Sequence, residues 1–298
     1  MNLLITGAWQ DAGTYIPLLR EMGHRVEFMQ YERDPLPCGY GWAEGVVCNG
    51  LFLHHAIEKF ENLKYIQLTS AGFDRVPMEY VQERGIRIRN ARGVYSIPMA
   101  EFALAGVLQL YKHTDFFREN QKRHIWEKHR GLLELAGKRV CILGCGSVGT
   151  ECAKRFSAFG CRVVGVDTVP EPRAYFDEIH LTRELDEVLP DADAVVLTVP
   201  LTEDTRHLID AGRLERMKPG AVLVNIARGA VADTGALIDA LRTGHLGGAV
   251  LDVFEEEPLS PDSPLWDMEN AIITPHNSFV GENNGKRLAA VVLKNLHF

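Results

Sequence analysis

The segment Lys138–Thr168, KRVCILGCGSVGTECAKRFSAFGCRVVGVDT, limits the possible folds more than any other part of the chain. A short apolar run, 140–143, leads into Gly144, Gly146 and Gly149 in a G-x-G-x-x-G spacing. Val148, Cys152, Phe156 and Phe159 then recur near helical spacing, and a second apolar run, 163–166, stops at Asp167. Strand, tight turn, helix, strand and acid in that order make a unit suited to a dinucleotide. Gly144 makes the turn, Gly146 lets the backbone approach a pyrophosphate, and Gly149 lets helix and strand pack closely. Ser147 and Val148 open the helix, whose N-terminal N–H groups and dipole attract phosphate. Asp167 stands about 20 residues past the glycines, where a carboxylate accepts hydrogen bonds from a ribose 2′-hydroxyl. It also repels a 2′-phosphate, and Thr168, Val169 and Pro170 put no arginine directly after it, which predicts NAD rather than NADP.

The second half of the chain extends this pattern. Strands are predicted at 194–199, ended by Pro200; at 221–226, running into Ala227-Arg228-Gly229; at 249–253, running into Phe254–Pro258; and at 271–274, running into Pro275-His276-Asn277-Ser278. Helices are expected at 210–217 and 235–241. With the two strands of the opening unit this makes six, the number of a complete doubly wound sheet. The first third alternates predicted strands at 2–6, 25–29, 46–48, 65–69 and 86–88 with short helices, which implies a second, smaller parallel α/β layer. Ser70-Ala71-Gly72 follows one of these strands and is either a small anion-binding nest or an ordinary turn. The expected fold class is therefore α/β, with two doubly wound domains.

Composition narrows the partners. A net charge of −8 argues against nucleic acid or an anionic membrane surface. No apolar run approaches bilayer length, and MNLLITGAW reads as a first strand rather than a signal peptide. The 6 cysteines include no C-x-x-C pair, so they read as small buried residues of a reducing, cytoplasmic setting. Cys145, between two of the glycines, is expected to be reachable by thiol reagents. A polar arm over 112–130 reads as a solvated or subunit-contacting face.

Arg228, Glu257 and His276 fall just past predicted strand ends on the edge where the cofactor would lie. A hydride delivered to C2 of a 2-oxo acid needs a fixed cation for the carboxylate, and the planar guanidinium of Arg228 suits it. The carbonyl oxygen must gain a proton, for which His276 is the natural general acid, with Glu257 to orient the ring. No metal is required by this scheme.

These stretches resemble the D-isomer-specific 2-hydroxyacid dehydrogenases over nearly the whole chain. The matching segments are TSAGFDRV (69–76), NARGVYSIPMAE (90–101), GKRVCILGCGSVG (137–149) and VVLTVPLTEDTRHLID (195–210). They continue through MKPGAVLVNIARGAVAD (217–233), GGAVLDVFEEEP (247–258) and ITPHNS (273–278). The resemblance implies a Rossmann NAD-binding domain at 96–275 inserted in a flavodoxin-like substrate domain of 1–95 and 276–298. It places the catalytic Arg, Glu and His on Arg228, Glu257 and His276. It adds Val199, Pro200, Thr205, Ala227 and Asp252 to the cofactor site, Asp252 holding the nicotinamide carboxamide. Ser70, Ala71 and Gly72 with Arg228 would take the substrate carboxylate, and residues 98–130 would form a homodimer interface. Pocket walls are expected from Leu51, Phe52, Tyr95 and Phe279. Arg75, Arg92 and Asn277 depart from the family pattern; the two arginines read as solvated surface residues, with recognition of a second anionic group on a substrate as the alternative. The alternative to a reductase is an NAD-sensing, corepressor-like protein of the same fold.

Overall fold

The computed structural model describes residues 1–296, and divides the chain into two compact units. One comprises Met1–Tyr95 and, from Gly281, the described part of the tail; the other is Ser96–Val280. The expected substrate-domain tail ends with His297 and Phe298, which lie outside the described residues.

In the first unit, β1 (Asn2–Thr6), β2 (Arg25–Met29), β3 (Gly45–Cys48), β4 (Tyr65–Leu68) and β5 (Arg87–Arg89) pair in parallel in the order β2-β1-β3-β4-β5. This is the flavodoxin-like order. Helices α1 (Ala12–Glu21) and α2 (Met78–Glu83) make two of the crossovers. β3 and β4 are buried along their whole length, as central parallel strands covered on both faces must be. The C-terminal helix, Asn284–Leu296, buries Leu288, Ala289, Val292 and Leu296 in the same core as Leu3, Ile5 and Trp9.

The second unit opens with α3 (Ser96–Tyr111) and α4 (Thr114–Lys122). Then come β6 (Arg139–Leu143), α5 (Ser147–Ala158), β7 (Arg162–Asp167), β8 (Glu178–Leu181), α6 (Leu185–Val188) and β9 (Ala194–Leu197). The unit closes with α7 (Ala211–Arg216), β10 (Val222–Asn225), α8 (Thr234–Arg242), β11 (Gly248–Leu251) and β12 (Ala271–Ile273). Its sheet has 7 parallel strands in the order β12-β11-β10-β9-β6-β7-β8, not the six expected. The additional strand is β8, an edge strand whose sequence, EIHL, is half-buried throughout and carries no apolar run to announce it. The polar arm likewise contains a helix, α4, that its charged sequence conceals. Among the described residues no helix is long and apolar enough to cross a membrane.

The turn between β6 and α5 depends on its glycines. Gly144 has φ +92°, a left-handed conformation that glycine adopts without steric cost. A Cβ on Gly149 would overlap the carbonyl oxygen of Gly144. Gly149→Ala is therefore expected to destabilise the protein by about 1–3 kcal/mol through overpacking. A denaturant midpoint equal to wild type would show that the turn has room to relax.

Candidate active site

The glycine turn is tied to the neighbouring strand end. Gly144 N–H donates to Val166 O at 2.8 Å, and the Thr198 hydroxyl donates to Leu143 O at 2.9 Å and Gly144 O at 2.7 Å. Gly146 caps α5, its carbonyl accepting from Thr150 N–H at 2.9 Å, so Ser147 and Val148 form the first turn. A backbone this close, with a helix N-terminus behind it and no side chain in the way at Gly144 or Gly149, fits a pyrophosphate.

Asp167 ends β7 beside this turn. Its Oδ2 accepts from Cys145 N–H at 2.7 Å, and its Oδ1 from Thr168 Oγ1 at 3.2 Å and Val169 N–H at 3.3 Å. Burial pushes this carboxyl up, but the backbone donors and the Arg173 guanidinium outweigh it and hold it below its usual range. Arg173 Nη1 lies 3.4 Å from Asp167 Oδ2 and also donates to Cys145 O. No arginine directly follows Asp167, but Arg173 reaches it from six residues on, past Pro170 and Pro172. Cys145 departs from expectation: its Sγ sits over Gly165, it is 1% exposed, and burial followed by Asp167 pushes its thiol up to about 12. It is shielded from thiol reagents.

The other polar residues gather past the C-terminal ends of β10, β11 and β12. Arg228 follows β10, its Nη1 donating to Ala227 O at 2.7 Å and its carbonyl accepting from Asn225 Nδ2 at 3.0 Å. The next residue, Gly229, packs so tightly that a Cβ would overlap the backbone of Phe254 and Glu255. The loops after β10 and β11 are thus locked together. In the second of them Glu257 Oε1 accepts from Phe254 N–H at 3.0 Å, while Oε2 meets His276 Nδ1 at 2.9 Å. His276 and Glu257 side chains are 40% and 38% exposed, so both remain open to a small molecule. Phe279 packs edge-on to the imidazole at 6.1 Å between ring centroids.

His276 has φ +51°, a left-handed backbone uncommon for a residue with a Cβ. A buried carboxylate holds it there. Asp252, 0% exposed, accepts from Thr274 Oγ1 at 2.6 Å, Asn277 N–H at 2.6 Å and Ser278 N–H at 2.9 Å, while its carbonyl accepts from His276 N–H at 2.8 Å. The side chain expected at the cofactor is thereby committed to the turn that presents the histidine. Asn277 contributes its backbone to this network, and its side chain is exposed.

Val199 and Pro200 follow β9, and Thr205 Oγ1 donates to Pro200 O at 2.6 Å, closing that loop on itself. Ala227 is buried, with its N–H on Asn225 Oδ1 at 3.1 Å. A cluster absent from the sequence reading joins the same loops. His207 Nε2 meets Glu255 Oε2 at 2.9 Å, and Thr234 N–H donates to Glu255 Oε1 at 3.0 Å. Burial pushes the Glu255 carboxyl up, but His207 and Thr234 outweigh it and hold it below its usual range. Spacing alone could not pair His207 with Glu255, 48 residues away.

In the first unit, Ser70-Ala71-Gly72 follows β4. Ser70 Oγ donates to Gly72 O at 3.1 Å, and Asn90 Nδ2 to Ala71 O at 2.6 Å. The N–H groups of Ala71 and Gly72 have no protein acceptor among the described residues. Tyr95 reaches this turn through its hydroxyl, which donates to Thr69 O. Leu51 does not line a pocket: a single helical turn directs it inward and it is 0% exposed in the core. Phe52 stacks edge-on against Phe60. Arg75 lies with its Cδ 3.8 Å from where a Gly50 Cβ would stand, and Arg92 is exposed. Glu32, also unforeseen, fixes the loop after β3 by accepting from Thr6 Oγ1, Asn49 N–H and Gly50 N–H at 2.8, 2.7 and 2.6 Å. Among the described residues no group of three or more His, Cys, Asp or Glu is placed to hold a metal ion.

Residues 104–278 match the family model "D-isomer specific 2-hydroxyacid dehydrogenase, NAD binding domain". The chain is 36% identical over 242 residues to D-3-phosphoglycerate dehydrogenase of Methanocaldococcus jannaschii, covering 80% of this chain and 46% of that protein. It is 35% identical over 243 residues to (S)-sulfolactate dehydrogenase of Chromohalobacter salexigens, covering 80% and 78%. In structure it resembles D-lactate dehydrogenase of Aquifex aeolicus complexed with NAD and lactic acid, with a TM-score of 0.81 at 27% identity over 99% of this chain and 94% of that one. A parallel sheet with a glycine turn at the strand-order switch point, and a helix N-terminus behind it, fits a dinucleotide-binding domain. The chain belongs to the D-isomer-specific 2-hydroxyacid dehydrogenase family, and its cofactor is NAD.

Asp252→Asn keeps one acceptor but sets an NH₂ against a backbone donor of the 277–278 turn. It is expected to cost about 1–3 kcal/mol of stability, the usual penalty for a buried donor without an acceptor. It should also lower turnover of any accepted substrate. An Asp252→Asn variant with wild-type turnover and melting temperature would remove this carboxylate from its assigned place.

Proposed function

We propose that the chain reduces a small 2-oxo acid to the D-2-hydroxy acid, and runs the reverse oxidation, with His276 as general acid and base. The observation that supports this most directly is the Glu257–His276 contact at 2.9 Å through Nδ1. It occupies one ring nitrogen and fixes the ring plane, while Nε2 has no partner among the described residues. When bound, NADH supplies the hydride that reaches C2 of the substrate. As C2 accepts it, the carbonyl oxygen gains charge and takes a proton from His276 Nε2, while Glu257 orients the ring through Nδ1. In oxidation the neutral imidazole removes the hydroxyl proton. Arg228, on the loop locked to that of Glu257 through Gly229, binds the substrate carboxylate. The N–H groups of Ala71 and Gly72, within the first unit, suit an anionic group of a substrate.

In this reading the substrate is held by residues 1–95 and 276–298, and the cofactor by 96–275. Asp167 accepts from the adenosine ribose, and Val199, Pro200, Thr205, Ala227 and Asp252 border the rest of the cofactor. We assign residues 98–130 to a homodimer interface, supported by the apolar side chains of the arm: Trp126 is 97% exposed, with Ile125 and Phe117 each at 38%.

His276→Ala is expected to lower kcat by about 10²–10⁴-fold, the usual contribution of a positioned acid–base group, while NADH still binds. The measurement is NADH oxidation against a panel of 2-oxo acids of increasing length, with calorimetric titration of NADH alongside. Wild-type turnover in the variant would refute the role of His276.

A further inference from the structure

The Asp167 carboxylate is saturated. Two oxygens offer about four acceptor sites, and all are taken: Cys145 N–H and Arg173 Nη1 on Oδ2, Thr168 Oγ1 and Val169 N–H on Oδ1. A ribose hydroxyl can bind only by displacing one of these donors. The Arg173 contact, at 3.4 Å, is longer than the 2.7 Å bond from Cys145 N–H. The side chain of Arg173 is 28% exposed, so it can move. Its guanidinium spends Nη1 on the protein, while Nη2 and Nε have no partner among the described residues. The arginine arrives on a loop stiffened by Pro170 and Pro172, whose fixed φ angles reduce the entropy lost in presenting it.

We propose that Arg173 is a specificity-determining residue that makes the ribose pocket accept NADPH as well as NADH. This rests on the reading of Asp167 as the ribose acceptor. The paired charges of Asp167 and Arg173 leave the pocket without the net negative charge that would expel a 2′-phosphate. The movement that admits a 2′-hydroxyl to Asp167 frees the guanidinium, and a guanidinium binds phosphate bidentately. The same displacement thus serves both cofactors. The absence of an arginine directly after Asp167 does not make the pocket NAD-specific.

The test is calorimetric titration of NADH and NADPH into wild type, Arg173→Gln and Arg173→Lys, without substrate. Wild type is expected to bind the two with Kd values within about tenfold of each other, the span of a single contact. Arg173→Gln should raise the Kd ratio of NADPH to NADH by about tenfold or more, the loss of one charge-assisted contact. Arg173→Lys should recover part of it by keeping the charge. NADH binding by the Gln variant shows that its pocket is folded. An unchanged ratio in Arg173→Gln, an equal loss for both cofactors, or wild-type NADPH binding weaker by more than about 100-fold overturns the proposal. If instead Asp167→Ala leaves the affinity for NADH unchanged, the ribose-acceptor reading fails and the proposal falls with it.

Discussion

The arrangement of polar groups on the seven-stranded sheet depends on one buried carboxylate. Asp252 sits at the end of β11 with no exposure, and its oxygens take donors from Thr274, Asn277 and Ser278. Those bonds compensate the cost of removing a carboxylate from water. They also bind the turn after β12 to the end of β11. His276 is the residue this turn presents, and its left-handed backbone persists because the residues on both sides are held. Glu257 meets the imidazole only because the turn delivers Nδ1 to it. Without Asp252, the sequence would still place a histidine after β12, but the backbone that presents it to Glu257 would lose its anchor.

Much of this was legible in the sequence, for reasons that differ between residues. The glycine turn declares itself because backbone geometry there tolerates no Cβ: Gly144 needs its positive φ and Gly149 its missing side chain. The central strands are readable because burial on both faces demands continuous apolar runs, as in Ala194–Leu197 and Val222–Asn225. Arg228, Glu257 and His276 could be placed on adjacent strand ends because a parallel sheet puts all its C-terminal ends on one edge. The edge strand β8 was not legible, since half-exposed residues need no apolar run. Leu51 was misplaced because an apolar residue after a strand reads equally as pocket wall or as core, and one helical turn decided it. His207 and Arg173 escaped for a further reason: their partners are set by the paths of loops, which local spacing does not encode.

The two halves of the site draw on different physics. The nucleotide side is mostly backbone: a glycine turn, a helix N-terminus and a carboxylate whose acceptor sites are already filled. The reacting side is mostly side chains held by other side chains, through Asp252, Glu257 and the His207–Glu255 pair. A backbone site makes its strictest demand at the glycines, where no Cβ fits. A side-chain network tolerates little, because each member satisfies a buried or half-buried neighbour.

The contact at Gly229 has an evolutionary consequence. The loops that carry Arg228 and Glu257 touch backbone to backbone, so neither can be reshaped without moving the other. Substitutions on either loop that need backbone movement are therefore coupled. In the first unit, the Ser70–Gly72 turn is joined to the loop after β5 by hydrogen bonds instead, Ala91 N–H on Ser70 O at 2.8 Å and Asn90 Nδ2 on Ala71 O at 2.6 Å. A hydrogen-bonded tie can be re-formed by another polar side chain, whereas a gap that admits no Cβ cannot.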